Sequence, residues 1–187
     1  MGKLIKQSTL SGILIGIGVI MNNMSYNKYF GALLFSFAIL TILKCNLKLY
    51  TGKIGYYKPS KTILLLVILL FNFIGSLLPT ACVFISNNEF QQMFISISKM
   101  KFSYGFAELF LYGILCGVLM FVAVYTRENI ITIFCIMIFI LSGYEHCIAD
   151  FPYLALNFSF INLCKFIVII FGNSIGSIMT NILIDDN

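Results

Sequence analysis

The single histidine of the chain, His146, stands between two acidic residues, Glu145 and Asp150, in a short polar segment that interrupts apolar sequence. An imidazole changes its charge near neutral pH, so slight changes in its surroundings let it donate, accept or transfer a proton. The same residues could hold a metal, but a catalytic zinc usually takes three protein ligands. One histidine without a second acidic cluster makes such a site improbable on these residues. They favour proton and hydrogen-bond chemistry, and we expect no metal and no other cofactor.

The composition around these residues is typical of a membrane protein. Of 187 residues, 60% are apolar and 10% are charged, and the mean hydropathy is +0.98. Soluble domains have about 45–50% apolar and about 25% charged residues. A chain of this size cannot hide so much apolar surface from water. The composition excludes a disordered chain, a disulfide-stapled secreted domain and a soluble Rossmann or TIM-barrel enzyme, and it predicts an integral multi-pass protein surrounded by the lipid bilayer.

The apolar runs set the number of membrane-spanning elements. A helix needs ~20 residues to cross the hydrocarbon core. Six candidate helices occur, at about 8–22, 29–50, 62–86, 106–126, 129–148 and 158–183. They leave almost no residues for a soluble domain, so we predict an all-α protein in which residues 1–187 form a single transmembrane channel or transporter domain.

An internal repeat relates the two halves of the chain. Two motifs recur at an offset of 101 positions, Gly12–Gly16 as Gly113–Gly117 and Asn72–Ser76 as Asn173–Ser177. Glycines at this spacing let helices pack closely. A repeat of three helices is odd-numbered, so its second copy must enter the membrane from the opposite face, as in transporters whose site lies at the repeat interface. We therefore predict a 3+3 inverted repeat, with repeat one at about 8–86 and repeat two at about 106–183.

Helices two and five are expected to be broken. Helix two is apolar from Phe30 to Leu43 and then becomes polar, and helix five is apolar from Ile130 to Leu141 before the segment that holds His146. Both apolar stretches are too short to cross a bilayer. Irregular backbone at membrane depth is tolerated only where it is buried in protein or lines a cavity. The two breaks are therefore predicted to face one pore.

The distribution of basic residues favours cytoplasmic N- and C-termini. With the N-terminus inside, the loops divide the basic residues as follows: Lys3, Lys6, Lys53, Lys58, Lys61 and Arg127 inside, against Lys28, Lys99 and Lys101 outside. This excess agrees with the positive-inside rule. The net charge of +5 is thus an orientation signal rather than a sign of nucleic-acid binding, and we expect the protein in a plasma or inner membrane.

Several segments resemble the formate/nitrite transporter family. The family's second helix starts with GALLF and breaks at ELFTGN, and here residues 31–35 read GALLF and residues 48–53 read KLYTGK. Its fifth-helix break, GFEHCVANM, is similar to GYEHCIADF at residues 143–151. The family's LCNW-type fourth helix and LGNIIGG sixth helix are similar to residues 113–117 and 171–177. The resemblance covers all six helices, and the GxEHxxA motif is its most specific part.

The resemblance implies a homopentamer in which each protomer has one pore for small monovalent anions such as formate, nitrite, hydrosulfide, acetate or lactate. His146 would be the central pore histidine, Thr51 would face it from the break in helix two, and Lys101 would be a vestibule lysine. The apolar constrictions on either side of the histidine would be formed by Phe35, Phe139, Leu49 and Tyr50.

Four positions depart from the family pattern. Lys48 replaces a glutamate, and the asparagines of the family are replaced by Lys53, Asp150 and Gly117. Lys53 and Asp150 occupy equivalent positions in the two breaks and have opposite charges. Because an unpaired buried charge costs several kcal/mol, we expect them to pair with each other or each with a nearby group. Glu145 is expected to hydrogen-bond the backbone of its break or a neighbouring helix.

These residues can support transport of a weak acid. Desolvation raises the pKa of formic or nitrous acid, so the neutral form becomes accessible as the anion leaves water. Lys101 would attract the anion, and Thr51 and His146 would replace its lost water contacts. A protonated His146 could supply the proton, and the neutral acid would pass Phe35 and Phe139, which exclude hydrated ions. We expect pH-dependent or proton-coupled transport.

Three other functions stay open. A neutral-solute channel with aquaporin-like architecture would share the six helices and the inverted repeat, but it would have two Asn-Pro-Ala motifs, and this chain has no Asn-Pro dipeptide. A membrane enzyme would need Glu145, His146 and Asp150 to hold a metal. A transport-inactive relative that serves as a subunit is supported by the replaced asparagines alone.

Overall fold

The computed structural model describes residues 1–86 and 88–185, and within them the chain is helical with no β-strand. The helices are α1 Gly2–Met24, α2 Lys28–Lys44, α3 Thr62–Ser86, α4 Asn88–Lys101, α5 Phe106–Thr126, α6 Asn129–Leu141, α7 Cys147–Leu156 and α8 Phe160–Asp185. Two short 3-10 turns, Ile54–Tyr56 and Pro59–Lys61, precede α3. The all-helical class predicted from the composition is confirmed.

Among the described residues, four helical segments are long and apolar enough to cross a membrane. They are Gly2–Met24, Pro59–Cys82, Phe106–Thr126 and Phe160–Ile184. Their outward faces and those of the shorter helices expose large apolar side chains, for example Phe37 at 68% and Ile130 at 70%. A soluble protein rarely leaves apolar patches of this extent in water. The chain is an integral membrane protein, as its composition predicted.

Small residues let the long helices pack closely in two pairs. Gly12 of α1 lies against the backbone of Asn72 and Gly75 in α3, and Gly113 of α5 lies against Gly172 in α8. In the same two interfaces Gly16 contacts Ser76 and Pro79, and Gly117 contacts the backbone of Asn173. A Cβ atom at Gly12 would overlap the carbonyl oxygen of Asn72. These contacts bring polar residues of α3 and α8 into the protein interior.

Two helices end earlier than the sequence predicts. The helix expected at 29–50 ends at Lys44, and the helix expected at 129–148 ends at Leu141 and is followed by α7 from Cys147. Both ends have the Schellman arrangement. Leu47 N donates to Ile42 O at 3.0 Å, and Tyr144 N donates to Phe139 O at 2.9 Å.

The Schellman arrangement places one residue in the left-handed region just after each helix. That residue is Asn46, with φ 50°, after α2 and Gly143, with φ 71°, after α6. Asparagine and glycine tolerate this conformation better than other residues do. The turn carries the backbone away from the helix axis, so the residues that follow are free to point into the protein.

The apolar runs predicted no helix between residues 86 and 106, and this expectation is wrong because α4 lies there. Phe90, Phe94 and Ser98 recur every four residues and are buried, which gives the helix one packed face. Ser98 Oγ donates to Tyr153 O of α7 at 2.7 Å, and the rings of Phe94 and Tyr153 stack with centroids 5.0 Å apart. With its polar outer face, α4 is too short to span a bilayer, and its last residue is Lys101.

Candidate functional site

Asn72 of α3 holds the non-helical segment that follows α2. Its Oδ1 accepts a hydrogen bond from Tyr50 N at 2.8 Å, and its Nδ2 donates to Lys48 O and to Ser8 O, each at 2.8 Å. Asn72 is fully buried. A buried backbone group without a partner is costly, so one amide side chain stabilises a stretch of backbone that has no helical hydrogen bonds of its own.

Asn173 of α8 does the same for the segment between α6 and α7. Its Oδ1 accepts from Cys147 N at 2.9 Å, and its Nδ2 donates to Glu145 O at 2.8 Å and to Gly113 O at 2.9 Å. This side chain is also fully buried. Asn72 and Asn173, which recur in the repeat, therefore make matching sets of three hydrogen bonds. Each set joins one non-helical segment to two long helices.

Thr51 and His146 meet at the tips of these two segments. Thr51 Oγ1 lies 3.0 Å from His146 Nε2, and both residues are buried. The other ring nitrogen, Nδ1, accepts from Ala149 N at 3.2 Å and caps the start of α7. A nitrogen that accepts a hydrogen bond carries no proton, so the neutral ring holds its proton on Nε2 and donates it to Thr51.

Lys101, at the end of α4, joins two acidic residues in a buried charge cluster. Its Nζ lies 2.5 Å from Glu145 Oε2 and 3.0 Å from Asp150 Oδ1. The side chains of Glu145 and Asp150 are 2% and 3% exposed, while that of Lys101 is 21% exposed. The ammonium also lies over the Tyr153 ring, 5.5 Å from its centroid. We call Lys101, Glu145 and Asp150 the charge cluster.

This cluster corrects the pairing considered for the two breaks. The partner of Asp150 is Lys101 and not Lys53. In the part of the chain that the structure describes, Lys53 makes no salt bridge, and its nearest charged neighbours are all basic: Lys48, Lys61 and Arg127. The repeat relates Lys53 to Asp150 by position in the sequence, but in the fold Lys53 lies near other bases and Asp150 lies beside Lys101.

Two cavities approach the Thr51–His146 contact. The first, about 290 Å³ in volume, is lined by residues that include Lys101, His146, Asp150, Phe35 and Phe139, and we call it the Lys101 cavity. The second, about 410 Å³ in volume, is lined by residues that include Lys44, Lys53, Arg127, Leu49 and Gly52, and we call it the basic cavity. Leu49 and Gly52 flank Thr51 in the chain, so the Thr51–His146 pair lies where the two cavities converge.

Aromatic rings cover His146 on the side of the Lys101 cavity. The rings of Phe35 and Phe139 are perpendicular with centroids 6.0 Å apart, and Phe139 stacks on the imidazole at 5.7 Å. Leu49 lies on the opposite side, in the wall of the basic cavity. Tyr50 lines neither cavity, because its hydroxyl points to Ser174 Oγ at 2.9 Å. Three of the four predicted constriction residues thus line one of the two cavities.

The structure also gives the positions of Lys48, Asn23 and Tyr153 relative to the two cavities. Lys48 lines a separate surface groove with other lysines rather than either cavity. Asn23 and Tyr153, which the sequence analysis did not single out, both line the Lys101 cavity, and Asn23 Nδ2 donates to the Tyr153 hydroxyl at 2.5 Å. A polar side chain at the end of an apolar helix was the available signal for Asn23.

Comparison with known proteins finds one matching family of transporters. Residues 1–184 match the sequence model of the formate/nitrite transporter family. The formate channel FocA of Haemophilus influenzae is 26% identical over 146 residues, which cover 66% of this chain and 51% of that protein. The chain thus spans about half the length of this curated relative.

Solved structures share the fold. A pentameric formate channel with formate bound has a TM-score of 0.76 and 20% identity, with 98% of this chain and 94% of that chain covered. An FNT family ion channel has a TM-score of 0.78 and 19% identity, with 94% of this chain and 85% of that chain covered. At these identities the likeness concerns the fold alone.

Proposed function

The chain belongs to the formate/nitrite transporter family, and we propose that it conducts small monovalent anions or their weak acids across the membrane. The candidate substrates are formate and nitrite, with hydrosulfide, acetate and lactate as further possibilities. The observation that carries the proposal is the buried Thr51–His146 contact, with the basic cavity near the start of α6 and the Lys101 cavity near its end. Each protomer would hold one such pore.

The proposed architecture is a 3+3 inverted repeat of six membrane-crossing units, with α2 and its following segment as one broken unit and α6 with α7 as the other. The matching Asn72 and Asn173 hydrogen bonds support it, and so do the two Schellman ends. Five copies would form a homopentamer, as in the pentameric formate channel that shares this fold. We place both termini in the cytoplasm and the protein in a plasma or inner membrane, because of the excess of basic residues on that side.

The proposed route begins at the Lys101 cavity. A hydrated anion would be attracted by Lys101 and would lose water on reaching Phe35 and Phe139, since the rings offer no hydrogen bonds. It would then meet Thr51 and His146, pass Leu49 and leave through the basic cavity. Lys53 and Arg127 would hold the anion there until it is hydrated again.

The hydrogen bonds of His146 define what the ring can do on this route. With Nδ1 capping α7, the neutral ring presents an N–H to Thr51 or, when Thr51 turns away, to a substrate oxygen. Protonating the ring at Nδ1 would break the hydrogen bond with Ala149 N. His146 therefore acts mainly as a hydrogen-bond donor to the substrate and substitutes for water in the dry part of the pore.

The test is stopped-flow uptake by proteoliposomes of formate, nitrite, hydrosulfide, acetate and lactate from about pH 5 to 8, with protein-free liposomes subtracted. We expect selective uptake by the wild-type protein and a large decrease in His146→Asn. Absence of uptake of all five anions by folded, oligomeric protein would contradict the proposal and would support a transport-inactive subunit. Uptake of glycerol or urea at the rate of the anions would support a neutral-solute channel.

A further inference from the structure

The charge cluster contains one more acid than base. The ammonium of Lys101 contacts both carboxyl groups, so Glu145 Oε2 and Asp150 Oδ1 lie at most 5.5 Å apart. Both carboxyl groups are almost completely buried. Two carboxylates and one ammonium have a net charge of −1, and a net charge in a place with so little water is strongly unfavourable.

The hydrogen bonds of Asp150 indicate where this excess charge is removed. Oδ1 is paired with Lys101, but the buried Oδ2 has no hydrogen-bond partner among the described residues. The carboxyl groups of Asp150 and Glu145 are held side by side by the same ammonium, that of Lys101. Two ionised carboxylates contain acceptors only, so a hydrogen bond between them requires a proton on one of the oxygens.

The surroundings of Asp150 supply no second positive charge. Among the described residues, the titratable or charged groups that line the Lys101 cavity together with Asp150 are Lys101 of α4, Tyr104, Tyr144, Glu145 and His146 of the connecting segments, and Tyr153 of α7. Cys116 of α5 and Cys147 of α7 also interact electrostatically with Asp150. Lys101 is the one cation among these described groups, because the cap at Nδ1 keeps the ring of His146 neutral.

We propose that Glu145 and Asp150 share one proton and that the charge cluster is the proton-binding site of this protein. Carboxyl pairs held close together share a proton because they cannot both ionise cheaply. The proton completes the hydrogen-bonding of Asp150 Oδ2 and makes the cluster electrically neutral. The cluster is part of the wall of the Lys101 cavity, on the side from which an anion reaches the phenylalanines.

The second part of the inference rests on the proposed function and concerns the source of the transported proton. An anion in the Lys101 cavity takes the shared proton: the O–H bond of the carboxyl pair breaks, and an O–H bond forms on the oxygen of the anion. The pair is left as two carboxylates and regains a proton from a hydronium ion that reaches the cavity from bulk water, leaving a water molecule. The neutral acid then crosses the dry part of the pore.

The direction in which pH changes the approach of the anion follows from the net charge of the charge cluster. At low pH the pair holds its proton and the cluster is neutral, so an anion can approach Lys101. As the pH rises through the titration of the pair, the cluster becomes negative and repels the anion. In Asp150→Asn the cluster contains one ammonium and one carboxylate, so it is neutral at every pH in this range and has no proton to give.

The first experiment is infrared spectroscopy of the purified protein without substrate. At neutral pH we expect a carboxylic-acid C=O band that shifts in D2O, is lost in Asp150→Asn and remains in Glu89→Gln, which removes an exposed carboxylate far from the cluster. Absence of the band in the wild-type protein, or its persistence in Asp150→Asn, would overturn the shared proton. This measurement needs no transport, so it is independent of the proposed function.

The second experiment measures proton movement with formate in proteoliposomes that contain a pH-sensitive dye. The wild-type protein should carry one proton with each formate, and Asp150→Asn should lower the proton-to-formate ratio roughly tenfold or more. Size-exclusion elution at the wild-type position shows that this nearly isosteric variant is folded. An unchanged ratio in Asp150→Asn would show that the proton comes from another group, whereas uptake of none of the five anions by the wild-type protein would instead disprove the proposed function.

Discussion

Thr51 and His146 are 95 positions apart in the sequence, yet Thr51 Oγ1 lies 3.0 Å from His146 Nε2 in the protein interior. The contact joins two non-helical segments, each tied by an asparagine to a pair of long helices. The geometry of this contact thus depends on backbone that would be unstable in lipid without those side chains.

Replacing Thr51 with valine tests the hydrogen bond at the pore centre. Valine has a similar shape but no oxygen, so the N–H of His146 loses its partner, at a cost of about 1–3 kcal/mol. We expect formate uptake in proteoliposomes to change by roughly tenfold or more while the protein stays folded. The control is Thr41→Val on α2, whose hydroxyl bonds its own helix near the protein surface. Equal effects of the two substitutions would contradict a role for the Thr51 hydroxyl.

Phe35→Ala tests the aromatic barrier. Removing the ring that is perpendicular to Phe139 widens the dry passage above His146, so larger or hydrated anions should pass more easily. We expect lactate uptake to rise relative to formate uptake. Phe37→Ala, which removes an exposed ring from the same helix, is the control. A ratio of lactate to formate uptake that is unchanged in Phe35→Ala would place the barrier elsewhere.

The close helix contact at Gly12 predicts a loss of stability on adding a single methyl group. Alanine is favoured over glycine in a helix by up to about 1 kcal/mol, but a Cβ at Gly12 overlaps the Asn72 backbone. Overpacking of this kind costs about 1–3 kcal/mol. Gly12→Ala should lower the midpoint of thermal unfolding in detergent. Gly2→Ala, where a Cβ meets nothing within 4 Å, should leave the midpoint unchanged or raise it.

Asn72→Ala should destabilise the protein because it removes three buried hydrogen bonds. At about 1 kcal/mol for each bond, the loss in the free energy of unfolding is about 3 kcal/mol. Thermal unfolding in detergent measures it, with the exposed Asn88→Ala as control. A loss in Asn72→Ala no greater than that of the control would show that the segment after α2 is held by other contacts.

The ion pairs predict which combined substitutions are coupled. Breaking a buried ion pair costs about 3–5 kcal/mol, because one charge is left without a partner. Lys101→Met should therefore be strongly destabilising, and much less so when Glu145→Gln and Asp150→Asn are added, because no carboxylate is then left without a partner. Lys53→Asn and Asp150→Asn should have additive effects on the unfolding midpoint, since these two residues do not pair. Coupling between Lys53 and Asp150 would contradict the structure.

The sequence predicted much of the fold because the signals are local. The apolar runs gave the four long helices, and α2 and α6 end within a few residues of where apolar sequence gives way to polar sequence. A scan for runs of about 20 apolar residues cannot find α4, which is 14 residues long with apolar side chains on one face only. Phe90, Phe94 and Ser98 recur every four residues, and this spacing, rather than a continuous apolar run, was the sequence signal for an amphipathic helix.

By itself the sequence determined the membrane class, the all-helical class and the polar interruptions after Leu43 and Leu141, because hydropathy and turn chemistry act between residues close in the chain. The tertiary structure alone decided the partners of the buried side chains. It brought Lys101 to Glu145 and Asp150, left Lys53 among other bases and turned Tyr50 toward Ser174. The physical reason is that an ion pair between distant segments depends on how the helices pack, and the position of a residue within a repeat does not specify which helix will lie beside it.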